Sequence, residues 1–273
     1  MAAATGLVML CTLLPFLPGR YDSLAVPLST MAQVAGFAGL LLVPIGAFWM
    51  AVEGVQRLAW LRFTMGLVAL IASLVVWGVV AMVATIQGGF ALGVVTLAFG
   101  AYVARRAWPS FGRHTEGTRE GSTALPLYLA VVPIVVALLQ QAVVDKAVAF
   151  SRNHAIRNSA PLISAVERYR AVRGRYPESL LTVNPDYWPG IIGISRYHYE
   201  PNGDSYNLFF EQFAHRVGTR EFVMYNPRDE HVMTSHAMDL LELTPEQLAL
   251  ERTRGHYAVH DTAHRHWKYF WFD

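Results

Sequence analysis

The chain has 273 residues, is 53% hydrophobic and carries a formal net charge of only +2 at pH 7. Acidic and basic residues balance in the polar half, residues 146–273, which argues against nucleic-acid binding because that requires a net basic face. The single cysteine, Cys11, excludes an intrachain disulfide and a Cys-rich metal site.

An abrupt change of polarity near residue 145 divides the chain into two predicted domains. Residues 1–145 contain apolar stretches close to the roughly 20 residues that a helix needs to cross about 30 Å of hydrocarbon. Residues 146–273 are charged and His-rich, as expected of a folded aqueous domain. We predict a transmembrane domain of four to five helices, the first of marginal length, at about 2–17, 28–52, 63–86, 89–106 and 124–145.

Arginines in the connecting loops predict the orientation of this domain. Short cytoplasmic loops carry an excess of Lys and Arg, whereas long domains translocate largely regardless of their charge. Two predicted loops are Arg-rich, and the loop at 87–89 has no charge. We therefore expect residues 146–273 to be extracytoplasmic and the following arginines to be cytoplasmic: Arg57, Arg62, Arg105, Arg106, Arg113 and Arg119.

The polar half begins as a continuation of the last apolar helix. A second helix is predicted to start at Pro161, behind a Ser159 cap, and to stop at Gly174. The hydrophobic period then changes to two, which predicts a β-hairpin over 197–210 around a turn at Pro201–Asp204. Further strands at 222–225, 231–233, 257–259 and 267–272, with a short helix from Thr244, complete an α+β domain with one core.

The run from Leu162 to Pro177 resembles the head of type IV pilins and type II secretion pseudopilins. In that family a membrane helix continues outward, ends in a corner containing Gly, Tyr and Pro, and packs on an antiparallel sheet. Gly174, Tyr176 and Pro177 match this corner, and the resemblance covers roughly residues 130–213. It implies a pilin-like head outside a bacterial cytoplasmic (inner) membrane.

The chain departs from processed pilins in two respects. Their hydrophobic helix stands at the N-terminus, whereas the corresponding helix here is internal and follows several predicted spans. Their helix also carries a glutamate near its start, and 125–144 contains none. The resemblance therefore implies the shape of the head and not the role of a polymerising subunit.

Histidines near the end of the chain are the candidate metal ligands. Alternation in extended strands predicts that His264 and His266 share one face, as do His256 and His260. If these strands pair, the imidazoles converge on a divalent metal such as zinc. The alternative, which we favour, is exposed strand histidines with no ligand, since no compact motif such as HExxH accompanies them.

These observations favour a non-enzymatic, multi-pass membrane protein whose pilin-like head has a binding, assembly or structural role in the cell envelope. Its expected partners are the lipid bilayer and other envelope or secretion-associated proteins. One alternative is a membrane-tethered metal-binding enzyme or sensor that uses the C-terminal histidines. A second is a passive transporter or a scaffold subunit. A coupled transporter is disfavoured, because the spans carry no ionisable residue away from their ends.

Overall fold

A computed structural model of the chain describes residues 2–53, 59–115, 124–183, 186–214, 220–231 and 259–272. The chain forms two compact units. The first consists of Met1–Leu14 and Leu24–Val144, and the second of Pro15–Ser23 and Asp145–Asp273. The fold therefore combines helices with an antiparallel sheet, as the sequence predicts for a helical domain joined to an α+β domain.

The first unit is helical. Three helical segments are long and apolar enough to cross a membrane, namely Ala25–Val52, Phe63–Gly88 and Leu125–Arg173, and a shorter apolar helix covers Thr5–Phe16. The helices, in chain order, are α1 (Ala2–Leu13), α2 (Ala25–Gly39), α3 (Leu42–Glu53), α4 (Ala59–Gly88), α5 (Phe90–Thr115) and α6 (Ala124–Asn158).

The segment predicted as one helix over 28–52 is interrupted by a turn at Leu40 and Leu41. Hydrogen bonds tighten there to the i−3 spacing, as in the bond from Val43 N to Leu40 O at 3.1 Å. Pro44 supplies the physical reason, because it has no N–H to donate and its ring disfavours a continuous helix through this point. The predicted span at 28–52 thus coincides with the apolar segment Ala25–Val52, which the turn divides into α2 and α3.

Helices α4 and α5 form a tight hairpin at Gly88 and Gly89. Gly89 has a φ of 85°, a conformation that glycine adopts without steric cost. Further along the pair, Trp77 Nε1 donates to Thr96 O at 2.8 Å. A Cβ atom at Gly100 would collide with the Trp77 ring, so the absence of a side chain there allows the two helices to approach closely.

A buried hydrogen-bond network joins α1, α2 and α6. Gln140 Nε2 donates to Thr12 Oγ1 and to Ala32 O, both at 2.9 Å. Ser29 Oγ donates to Thr12 O at 2.6 Å. These bonds satisfy the amide donors of Gln140, so Gln140 acts here as a helix-packing residue.

The second unit begins within α6, which continues to Asn158. Helix α7 (Ala160–Arg173) follows after Ser159, with Pro161 in its first turn. The Ser159 side chain does not cap α7 as predicted; its hydroxyl donates back to Ile156 O at 2.6 Å. The strands are β1 (His198–Asn202), β2 (Ser205–Phe213), β3 (Arg220–Tyr225), β4 (Val259–Asp261) and β5 (Trp267–Phe272).

These strands form one antiparallel sheet in the order β1-β2-β3-β5-β4. The predicted hairpin is β1–β2, with Asn202 paired to Ser205 around a turn in which Gly203 has a φ of 55°. Strand β5 lies between β3 and β4, and both of its faces are buried, at Trp267 and at Phe270. The predicted strand at 231–233 and the helix from Thr244 lie, entirely or in large part, outside the described residues.

The core of the second unit lies between the sheet and the helices. Leu162 and Val166 of α7 are fully buried against the sheet residues Tyr206, Phe210 and Val223. Fully burying such a side chain contributes about 1.5–3 kcal/mol. Helix α7 is therefore held on the sheet by an apolar face that includes Leu162 and Val166.

The segment Pro15–Ser23 belongs to the second unit although it connects α1 to α2. It pairs with the stretch 190–193: Ile192 N donates to Leu17 O and Gly19 N donates to Gly190 O, both at 2.9 Å. Phe16 is buried and stacks on Phe213, with ring centroids 6.0 Å apart. The α+β unit thus includes a chain segment from the apolar half, which the sequence analysis did not foresee.

Candidate functional site

The corner after α7 is formed by backbone geometry and one aromatic side chain. Gly174 ends the helix with a φ of 74°, and its N–H donates to Arg170 O at 2.8 Å. This is the left-handed C-terminal cap for which glycine is strongly preferred. Pro177 O accepts a hydrogen bond from Tyr199 Oη at 2.8 Å, which ties the chain after the corner to β1.

Tyr176 fixes the corner against both the helix and the sheet. Its ring is 8% exposed and makes an edge-on contact with Tyr206 at 4.8 Å between centroids. Its hydroxyl accepts from Arg170 Nη1 at 2.7 Å and donates to Glu167 Oε1 at 3.3 Å. The Arg170 guanidinium also lies 4.5 Å from the ring centroid. Burial is the main cause that raises the pKa of Tyr176, so the hydroxyl stays protonated near neutral pH.

The predicted metal ligands occupy different local environments. His260 lies in β4 and stacks on Tyr269, with ring centroids 4.7 Å apart. His264 and His266 lie in the turn between β4 and β5, not on one face of a strand. This corrects the strand assignment. The turn forms because Thr262 Oγ1 accepts from His264 N at 3.1 Å, which favours a reversal of the chain over an extended strand.

His266 pairs with the carboxylate of Asp229. Its Nδ1 lies 3.1 Å from Asp229 Oδ2, and both residues have positive φ angles, of 66° and 61°. His256 lies outside the described residues. Within the described part of the chain, no group of three His, Cys, Asp or Glu side chains is arranged to hold a metal ion.

His231, left unassigned by the sequence analysis, joins the two turns near β5. It is 2% exposed, and its ring nitrogens lie 3.1 Å from Asp229 O and 3.3 Å from His266 O. Burial is the largest cause acting on its pKa, which is lowered from the ordinary histidine value. Nearby, Asn226 Oδ1 accepts hydrogen bonds from Arg228 N and Glu230 N, which closes the turn that follows β3.

A buried ion pair lies between α6 and the sheet. Arg152 Nε donates to Glu221 Oε1 at 2.7 Å, and Arg152 Nη2 donates to Glu221 Oε2 at 2.9 Å. Gln212 Nε2 and Trp271 Nε1 donate to the same carboxylate at 2.7 and 2.8 Å. The Glu221 side chain is fully buried, and the Arg152 guanidinium also lies 3.6 Å from the Tyr269 ring centroid.

This centre fixes the start of the polar part of α6 to three strands of the sheet. Ser151 Oγ adds a bond to Gln212 Oε1 at 2.8 Å, so the amide is satisfied as well. This arrangement fixes the orientation of the polar part of α6 on the sheet. The bidentate ion pair and the further donors compensate the desolvation of both charges. Gln212 and Glu221 lie on the apolar face of two strands whose residues alternate between apolar and polar. A polar side chain at such a position is costly without a buried partner, so these two residues were the signal in the sequence for a buried polar centre.

Comparisons with known proteins found no family model, no curated protein and no solved structure that matches this chain.

Proposed function

We propose that this protein is an integral protein of a bacterial cytoplasmic membrane whose second unit is an extracytoplasmic, pilin-like head. In this proposal the head mediates contacts with other envelope or secretion-associated proteins and has no catalytic role. The observation that carries the proposal is α6, which continues from an apolar stretch into the polar unit and is followed by α7 and the Gly174 corner.

The order of α7, corner and antiparallel hairpin supports the pilin-like part of the proposal. Helix α7 packs on β2 through its apolar face, and the chain then returns along the β1–β2 hairpin. The sheet extends beyond this hairpin through β3, β5 and β4. The resemblance therefore concerns the helix, the corner and the first hairpin.

The placement of Pro15–Ser23 supports the proposal that both chain segments of the second unit lie on the same side of the membrane. Between this segment and Asp145 the chain passes through Ala25–Val52, α4, α5 and α6. If each of these four segments crosses the bilayer once, an even number of crossings returns the chain to its starting side. The described contacts of Pro15–Ser23 with 190–193 agree with that arrangement, in which α5 is a proposed crossing in addition to the three segments that are long and apolar enough to span.

Two exposed apolar side chains on either side of the corner are candidates for protein contacts. Val172, near the end of α7, is 76% exposed, and Leu181, in the short helical turn Leu180–Thr182, is 78% exposed. Large apolar side chains in water favour contacts with a partner when they form part of a patch.

A photo-crosslinking experiment in the native membrane tests this role. A photoreactive amino acid at Leu181 or Val172 should give adducts with an envelope protein, which reciprocal labelling of that protein should reproduce. The matched control is Asp204, exposed in the β1–β2 turn away from the corner in sequence. Adducts at Asp204 equal to those at Leu181, or no protein adduct at either corner position, would overturn the proposed contact role.

No described contact favours either alternative function over this proposal. The metal-dependent alternative predicts stoichiometric zinc in the purified protein, lost in a His260→Ala, His264→Ala double variant. The transporter alternative predicts a polar passage, whereas two grooves in the bundle are lined almost entirely by apolar side chains. The head-domain proposal is therefore the one that the contacts support best.

A further inference from the structure

The helical unit contains a partly open groove between α3, α4, α5 and α6, with a volume of about 450 Å³. Trp49 lines it on α3 and is only 5% exposed. Two polar side chains that line it on α4 donate within the protein: Trp77 Nε1 to Thr96 O at 2.8 Å, and Ser73 Oγ to Ala69 O at 2.7 Å. The walls therefore offer an occupant a surface that is almost entirely apolar.

The composition and length of the groove suit an uncharged chain. Among the described residues that line it, none is Asp, Glu, Lys, Arg or His. A charged group inside it would lose its hydration without gaining a counter-ion, which is costly. Along α4 the lining extends from Gly66 to Trp77, a helical distance of about 16 Å at 1.5 Å per residue. This is close to the depth of one leaflet, which is half of a hydrocarbon core of roughly 30 Å.

Tyr128 brings an unused polar group to this apolar groove. It is half-buried and lines the groove on α6, and its hydroxyl makes no hydrogen bond with a described residue. Tyr128 lies in the first turn of the apolar segment that begins at Leu125. Tyrosine is enriched at such an end of a membrane span, because its ring is apolar and its hydroxyl is polar. In contrast to the Trp77 N–H, this hydroxyl is available to an occupant.

We propose that the groove binds one acyl chain linked through an ester, and that Tyr128 Oη donates a hydrogen bond to the ester carbonyl oxygen. The proposal rests on the membrane location proposed above. A carbonyl oxygen accepts a hydrogen bond without carrying a charge, as the walls of the groove require. One neutral hydrogen bond is expected to favour an ester roughly fivefold over a chain that has no acceptor.

Quenching of tryptophan fluorescence by brominated chains tests the site in the purified full-length protein. A brominated fatty-acid methyl ester and the brominated alkane of the same length are each titrated in a neutral detergent. The signal of the groove is the difference between the protein and its Trp77→Phe variant. We expect half-maximal quenching of this component at a roughly fivefold lower mole fraction of the ester.

Matched variants separate the ester contact from the chain contact. Tyr128→Phe keeps the ring and should remove the preference for the ester. Tyr102→Phe, at a tyrosine of α5 that is 61% exposed and outside the groove lining, should retain it. Ser73→Phe should fill the groove and reduce quenching by both probes. Val75→Phe, at a position on α4 that is 57% exposed and outside the lining, is the control for added volume.

Equal quenching by the two probes, or a preference that survives Tyr128→Phe, would overturn the inference. If Trp77→Phe fails to fold, the thermal stabilisation of the unmodified protein by each probe measures the same preference. Flotation with vesicles is measured in parallel. Failure to float would contradict the membrane proposal itself, whereas flotation without a preference for the ester would contradict only the lipid site.

Discussion

Replacing Arg152 by Met should strongly destabilise the polar unit. Glu221 is fully buried and accepts four hydrogen bonds, two of them from Arg152. The substitution keeps much of the apolar volume of the side chain but leaves the carboxylate without its counter-ion. Removing one partner of a buried ion pair typically costs about 3–5 kcal/mol, because the remaining charge is desolvated and uncompensated.

Urea unfolding of the full-length protein, followed by near-ultraviolet circular dichroism, measures this loss. The matched control is Arg175→Met, which breaks an exposed pair with Glu178 and should change the free energy of unfolding only slightly. A double variant that also carries Glu221→Leu should lose less stability than the two single variants combined, because no isolated charge remains. A change for Arg152→Met as small as that for Arg175→Met would refute the reasoning.

Three further predictions concern the same unit and the same unfolding measurement. Tyr176→Ala should lower the free energy of unfolding by about 3 kcal/mol or more, because a buried ring is lost. Tyr176→Phe should lower it by only about 1 kcal/mol, because only the hydrogen bonds of the hydroxyl are lost. Equal losses in the two variants would contradict this. Gly174→Ala should cost about 1–2 kcal/mol, because its φ of 74° is unfavourable for residues with a Cβ atom. The lowered pKa of His231 means that the folded state favours the neutral ring, so stability should fall as pH decreases below about 6.5, and His231→Gln should flatten that dependence.

The corner and the first hairpin were predictable because their determinants are local. Gly174 directly follows the helix predicted from Pro161, and the alternation from Tyr197 to Phe210 around Gly203 specifies both strands and their turn. In each case the residues that determine the conformation lie within a few positions of one another. Local propensity and tertiary structure agree there.

The docking of Pro15–Ser23 could not be predicted from local pattern. It depends on backbone hydrogen bonds to a stretch more than 160 residues later, and backbone groups are the same in every sequence. The ion pair of Glu221 could not be predicted for a similar reason, since its partner Arg152 is on a helix 69 positions earlier. The polar residue on an apolar strand face was visible, but the identity of its partner was not.

The turn histidines show how competing local signals mislead a strand assignment. Alternation around His264 and His266 is compatible with an extended strand. The Thr262 hydroxyl instead binds the backbone of the turn, and His266 adopts a positive φ beside Asp229. Such a turn requires side-chain to backbone contacts that periodicity alone does not report.

Cysteine accessibility tests the extracytoplasmic head most directly. In a Cys11→Ser background, single cysteines replace Glu178, exposed in the polar unit, or Arg106, exposed on α5. A membrane-impermeant maleimide added to intact cells, in which only the outer membrane has been opened, should label Glu178→Cys. Arg106→Cys should react only after the inner membrane is permeabilised. Labelling of Arg106→Cys with protection of Glu178→Cys would contradict the account.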